Sequence, residues 1–172
     1  MLLESLPGKR FIQEEKLMKI SVRAFAVSVL LVSAMALAAC GGGASSGAAN
    51  GALEVGSDGE NLAFNNVALT AKAGEKVTLT FKNNSTAQSH NLIIVNGGDD
   101  VATAVDEAAA EAGDAAGYVP ADASTMIAHT ALLAPGASET IEFTAPAAGT
   151  YTFVCTYPGH YGGGMKGVLT VN

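Results

Sequence analysis

The segment Cys155-Thr156-Tyr157-Pro158-Gly159-His160-Tyr161-Gly162-Gly163-Gly164-Met165 sets a thiol, an imidazole and a thioether at five-residue intervals near the C-terminus. Pro158-Gly159 favours a turn, because proline fixes φ and glycine accepts backbone angles closed to other residues. The three glycines before Met165 let the chain bend where side chains would crowd. On either side, Tyr151-Thr152-Phe153-Val154-Cys155 and Val168-Leu169-Thr170-Val171 alternate apolar with polar, the period of a half-buried strand. The segment is therefore a loop between two C-terminal strands, with Cys155 anchored at the end of the first. Upstream, Lys76-Val77-Thr78-Leu79-Thr80-Phe81-Lys82 and Thr140-Ile141-Glu142-Phe143-Thr144 alternate in the same way. Turn signals fall at Ala73-Gly74, Asn83-Asn84, Pro135-Gly136 and Ala148-Gly149. Many short strands at this spacing predict an all-β sandwich of about seven or eight strands.

One stretch breaks the rhythm. Residues 99–112 are rich in alanine and acid, with Val101, Val105, Ala108 and Ala112 on one helical stripe. Asp99 and Asp100 suit a helix N-terminus and Gly113 a stop. The expectation is a short helical insertion near 99–113, packed outside the sandwich; an unstructured acidic loop is the alternative.

Thiolate and imidazole bind copper strongly, and a thioether partner shifts the preference further toward it. The sequence holds three histidines. His90 opens the apolar run His90-Asn91-Leu92-Ile93-Ile94-Val95 and is the natural second imidazole. His129 lies on an expected strand with no partnering motif, and is read as a surface residue. Taken singly, each donor has a plain structural explanation: a surface histidine, a turn histidine, a core methionine, a buried thiol. Together, at this spacing, they point to a copper centre. Structural zinc prefers cysteine and histidine alone. A Cys–His nucleophile pair would need an orienting group that the glycine-rich turn does not supply.

These residues resemble the cupredoxin family of blue copper proteins, the plastocyanins and azurins, and within it the auracyanin group. The run from Cys155 to Gly167 matches the auracyanin spacing, with four residues between Cys155 and His160 and four between His160 and Met165. Ser89-His90-Asn91 is similar to the segment of the family's first histidine ligand. Ile127-Ala128-His129-Thr130 with Pro135-Gly136-Ala137-Ser138-Glu139 resembles the strand and turn before the cysteine strand. The likeness spans about residues 53–172 and implies a Greek-key sandwich around one copper ion cycling between Cu(I) and Cu(II). It makes His90, Cys155 and His160 the in-plane ligands and Met165 the axial one. Asn91 then ties the two ligand loops together by hydrogen bonds near the sulfur. Where azurins have a glycine carbonyl facing the metal, this chain has Ser89.

Residues 1–39 read as a targeting segment, with Met18 as the expected start of translation: Lys19 and Arg23 precede a mostly apolar run, 24–39. Leu37-Ala38-Ala39-Cys40 resembles a bacterial lipobox, which makes Cys40 the expected lipidation site. An ordinary signal peptide or an uncleaved anchor is the alternative. Residues 40–52, mostly Gly, Ala and Ser, read as a flexible tether. The expected site of action is then the extracytoplasmic face of the cell membrane. A lone Cys155 in that oxidising compartment would cross-link unless a metal occupied it.

From residue 40 onward four basic residues face thirteen acidic ones, a net charge of −9. That balance disfavours nucleic acid and favours a basic protein partner. The expectation is a monomeric, non-enzymatic, one-electron carrier. The family likeness implies a membrane quinol-oxidising complex as donor and a c-type cytochrome or reaction centre as acceptor. Three rivals are a copper oxidase or reductase, an extracytoplasmic copper-binding or copper-transfer protein, and a metal-free structural sandwich. Copper enzymes usually carry additional histidine-rich sites, and transfer proteins favour exposed Met- or Cys-rich ones.

Overall fold

The alternation at 76–82 becomes a central strand whose Val77, Leu79 and Phe81 are all essentially inaccessible to solvent. The computed structural model describes residues 46–47 and 52–172. The leader read over 1–39, the lipidation residue Cys40 and all of the tether except 46–47 and residue 52 lie outside the described residues.

In chain order the elements are β1 (Ser46–Gly47), β2 (Ala52–Gly56), β3 (Ala68–Ala71), β4 (Lys76–Lys82), β5 (Ile93–Val95), α1 (Asp99–Ala112), β6 (Met126–His129), β7 (Ser138–Thr144), β8 (Gly149–Val154) and β9 (Lys166–Val171). One sheet runs β1-β3-β9-β8-β5-β6 and the other β2-β4-β7. Both are mixed: β2 pairs parallel with β4 and β3 parallel with β9, while β4–β7, β5–β6, β5–β8 and β8–β9 are antiparallel. Setting the two-residue β1 aside leaves eight strands and one α-helix among the described residues, a Greek-key sandwich as expected. The inward side chains of the two sheets form the main core, which includes Leu53, Leu79, Phe81, Phe153, Leu169 and both sulfur residues, Cys155 and Met165.

The helix occupies the expected residues, with Asp99 and Asp100 in its first turn and Gly113 at positive φ (73°) at its end. Its buried line is Ala102, Val105 and Ala109, rotated by about a residue from the expected stripe. Two alanines on that line let the helix sit close against β5 and β8, where it forms a second apolar cluster with Ile93, Val95 and Val154. This cover explains why β8 departs from simple alternation. Thr152, Phe153 and Val154 are all buried, because one face meets the main core and the other lies beneath α1.

The strand expected to open at His90 begins only at Ile93. His90 instead forms an isolated bridge with Leu133. Leu92 donates its amide to Thr130 Oγ1 (3.0 Å) while the Thr130 amide returns to the Leu92 carbonyl (2.9 Å). A threonine hydroxyl thus replaces a ladder carbonyl and delays regular pairing.

Candidate metal centre

Three donors from two distant segments of the chain, His90 from one and Cys155 with His160 from the other, meet in the fold. His90 is held by two backbone hydrogen bonds to Leu133, of 3.1 and 2.8 Å. Cys155 follows β8, and its amide donates to the Met165 carbonyl at 3.1 Å. His160 closes a turn with Tyr157 (2.9 Å), and its own carbonyl accepts from the Met165 amide at 3.0 Å. The ligand loop therefore folds back so that Met165 is bonded through its backbone to both other loop donors. Gly163 packs closely there: a Cβ would lie 2.5 Å from Leu62 Cδ1 and 3.2 Å from the Gly159 carbonyl oxygen.

Cys155 Sγ lies 3.5 Å from His160 Nδ1 and 3.7 Å from His90 Nδ1, and the two nitrogens are 3.1 Å apart. Among the described residues these three form the one grouping of histidine, cysteine and carboxylate donors that could hold a metal ion. The circle through the three atoms has a radius of about 2.0 Å, a metal–imidazole bond length. A single ion fits within bonding distance of all three. Cys155, His90 and Met165 are wholly buried and His160 nearly so, at 5% exposure. The structure brings three of the four expected donors, His90, Cys155 and His160, into one triangle, and the fourth, Met165, is buried and bonded through its backbone to Cys155 and His160. His129, on β6, is exposed and outside the group.

Burial governs the protonation of the three. It lowers His90 to about 4, assisted by the neighbouring His160 ring and opposed by Glu60. Burial lowers His160 as well. It pushes the Cys155 thiol up to about 11, although the amides of Tyr157 and Asn91 donate to the sulfur and pull the other way. Both imidazoles are consequently neutral at pH 7, with a lone pair free to bind, and only the thiol must lose a proton to a metal.

Asn91 is fully buried and joins the two ligand-bearing segments. Its Oδ1 accepts from the Thr156 amide (2.8 Å), and its Nδ2 donates to Thr156 Oγ1 (2.9 Å) and the Gly117 carbonyl (3.1 Å). Thr156 Oγ1 in turn donates to the Tyr118 carbonyl at 2.6 Å. Tyr118 is the one described non-glycine residue with positive φ, 56°. Sequence reasoning missed Thr156, Gly117 and Tyr118. Thr156 at least stands beside Cys155 in the quoted segment, whereas nothing local marks Tyr118.

A family of copper binding proteins, the plastocyanin/azurin family, matches residues 51–172. The chain belongs to that family. Among curated relatives of this plastocyanin/azurin chain, auracyanin-A of Chloroflexus aurantiacus is 48% identical over 163 residues, 90% of this chain and 100% of the relative. The crystal structure of dithionite-reduced auracyanin from the photosynthetic bacterium Roseiflexus castenholzii superimposes with a TM-score of 0.70 at 57% identity. That match covers 73% of this chain and 99% of the other. Auracyanin A of Chloroflexus aurantiacus, described as a "blue" copper protein, superimposes with a TM-score of 0.67 at 50% identity, covering 70% and 98%. The family of blue copper electron-transfer proteins, the sandwich and the His–Cys–His triangle agree on one copper ion as the cofactor.

Proposed function

We propose that this chain is a one-electron carrier whose copper ion would be held by His90 Nδ1, Cys155 Sγ and His160 Nδ1, with the Met165 thioether as the fourth donor. The observation that carries this reading is the triangle of three buried donors whose common radius equals a metal–ligand bond. Copper bound there supplies one-electron chemistry between Cu(II) and Cu(I). The chain contributes the frame. The Leu133 bridge holds His90, the Met165 carbonyl holds Cys155, and Asn91 with Thr156 keeps the two segments in register. Burial of all four donors excludes water and leaves no coordination position facing a substrate, which supports a carrier over an enzyme. The same burial disfavours a copper-transfer protein, which must release its ion.

His160 is the donor nearest solvent, and exposed Pro158, Gly159 and Gly162 surround it. This weakly polar patch suits brief docking with small contact area. The acidic balance favours a basic acceptor such as a c-type cytochrome or a reaction-centre complex. By likeness to its relatives the donor is a membrane quinol-oxidising complex. The lipobox-like run ending at Cys40 supports action as a monomer tethered to the extracytoplasmic membrane face.

An absorption spectrum of the copper-loaded protein tests the site. An intense visible thiolate-to-copper band is expected, and Cys155→Ser abolishes it. Retention of the band in that variant, or its absence from the wild type, would overturn the assignment.

A further inference from the structure

Metal-binding histidines almost always donate their second ring N–H to a fixed acceptor, which sets the ring's orientation. His90 departs from that habit. With Nδ1 directed at the triangle, its Nε2 is buried and has no hydrogen-bond partner among the described residues. The orientation of this ring therefore depends on the backbone that carries it, the segment 83–90 between β4 and β5.

That segment is held by a chain of polar contacts to the loop after β2. Asn83, wholly buried, donates from Nδ2 to the carbonyls of Gln88 (2.8 Å) and Leu133 (3.0 Å), the residue that also brackets His90. Ser57 Oγ donates to Asn83 Oδ1 at 3.2 Å and accepts the Asn84 amide at 2.8 Å. Glu60 is the charged member. Its Oε2 accepts from Ser85 Oγ at 2.7 Å, and its Oε1 accepts from the Thr86 amide at 2.6 Å and the Thr86 hydroxyl at 3.0 Å. Ser85 Oγ passes the restraint on, accepting the amides of Ala87 (3.0 Å) and Gln88 (2.8 Å). Gln88 lies two residues before His90.

We infer that Glu60 is a positioning residue for His90: its carboxylate locks the 85–88 turn, which aims a ring that no side-chain acceptor aims. This role rests on the proposed ligation by His90. Hydrogen bonds to a carboxylate are the stronger, charge-assisted kind, so one side chain can hold an exposed turn. Glu60 and His90 also feel each other electrostatically, the carboxylate favouring positive charge at the ring. A negative charge here stabilises Cu(II) over Cu(I) and holds the reduction potential down.

The test compares the full-length, copper-loaded wild type with Glu60→Ala and Glu60→Gln. The wild-type visible band first establishes the copper site independently of Glu60. The reduction potential and the Cu(II) hyperfine splitting by electron paramagnetic resonance are then measured in all three. Both variants lose the charge, so the potential rises in both. The rise is larger in Glu60→Ala, which also loses the turn's acceptors and shows an altered hyperfine splitting and several-fold faster copper loss to a chelator. Glu60→Gln keeps an acceptor oxygen and retains a splitting close to wild type. Wild-type potential and splitting in Glu60→Ala, with or without a lower melting temperature, would overturn the inference, because the residue would then serve stability alone.

Discussion

Single side chains at the metal centre set the pH range of the copper-free fold. His90, held near 4 when folded against its ordinary 6.5, favours the neutral form in the native state. The unfolded chain takes up that proton first, so the stabilisation is complete above pH 6.5 and is lost as pH falls toward 4. His160 is displaced in the same direction. Cys155 is displaced upward, so its contribution is complete below pH 9.0 and is lost as pH rises toward 11. The urea midpoint of the copper-free protein should therefore stay level between these limits and fall on both sides. A level midpoint down to pH 4 would refute the burial of neutral histidines. Asn91→Ala strands the buried Thr156 amide and takes a donor from the part-buried Gly117 carbonyl, and should cost about 1–3 kcal/mol in urea unfolding. At Met165 the prediction is spectroscopic and electrochemical. Met165→Leu keeps copper bound but raises the potential by tens of millivolts, since each tenfold loss of relative Cu(II) affinity is about 59 mV. An unchanged or lower potential would argue against an axial thioether.

Among the elements, β9 must lie close against β8, and one glycine makes that possible. Gly167 pairs with Phe153 across the two strands, and a Cβ at 167 would lie 2.2 Å from the Phe153 ring. Phe153 is fully buried in the main core and cannot retreat. Gly167→Ala should therefore destabilise by about 1–3 kcal/mol, read as a lower urea midpoint with an unchanged slope. Strands such as β4 were legible in the sequence because one face is wet and the other dry, so burial writes itself as a period of two. Where both faces are dry, as in β8 beneath α1, that period is lost and the sequence no longer says which side is inward. The helix was legible from its ends, Asp99 and Gly113, better than from its stripe, because alanine reads as weakly apolar on every face. The meeting of Cys155 with His160 was legible because their spacing is local. The contacts of Asn91 with Tyr118, and of Glu60 with Ser85, were not, because they join segments 25 to 27 residues apart through tertiary packing. Gly167 was visible only as a residue leading into the last strand; its necessity depends on a ring fourteen positions away.

For the whole molecule, charge placement matters more than its sum. Seven of the thirteen acidic residues after position 40 fall in 99–122, a stretch without a single lysine or arginine. This insertion borders the ligand loop. Tyr161, next to His160, donates its hydroxyl to the Asp99 carbonyl at 3.3 Å, and Lys166, next to Met165, pairs with the Asp99 carboxylate. The acidic insertion thus meets the ligand loop at Asp99, and on the proposed carrier reading a basic redox partner would be steered toward it before contact. Such steering weakens as the Debye length shrinks from about 30 Å at 0.01 M salt to about 8 Å at 0.15 M. The second-order rate of electron transfer from the reduced protein to a basic c-type cytochrome should fall about tenfold or more over that range. With an acidic cytochrome of similar potential the rate should rise instead. Converting the exposed Asp100, Glu107, Glu111 and Asp114 to their amides removes four charges from the insertion without touching a donor. That variant should lower the rate at low salt and flatten its salt dependence, while leaving the visible band and the potential nearly as they were. A wild-type rate that is insensitive to salt, or a variant that keeps the full slope, would mean that the partner approaches from a face where these acids play no part.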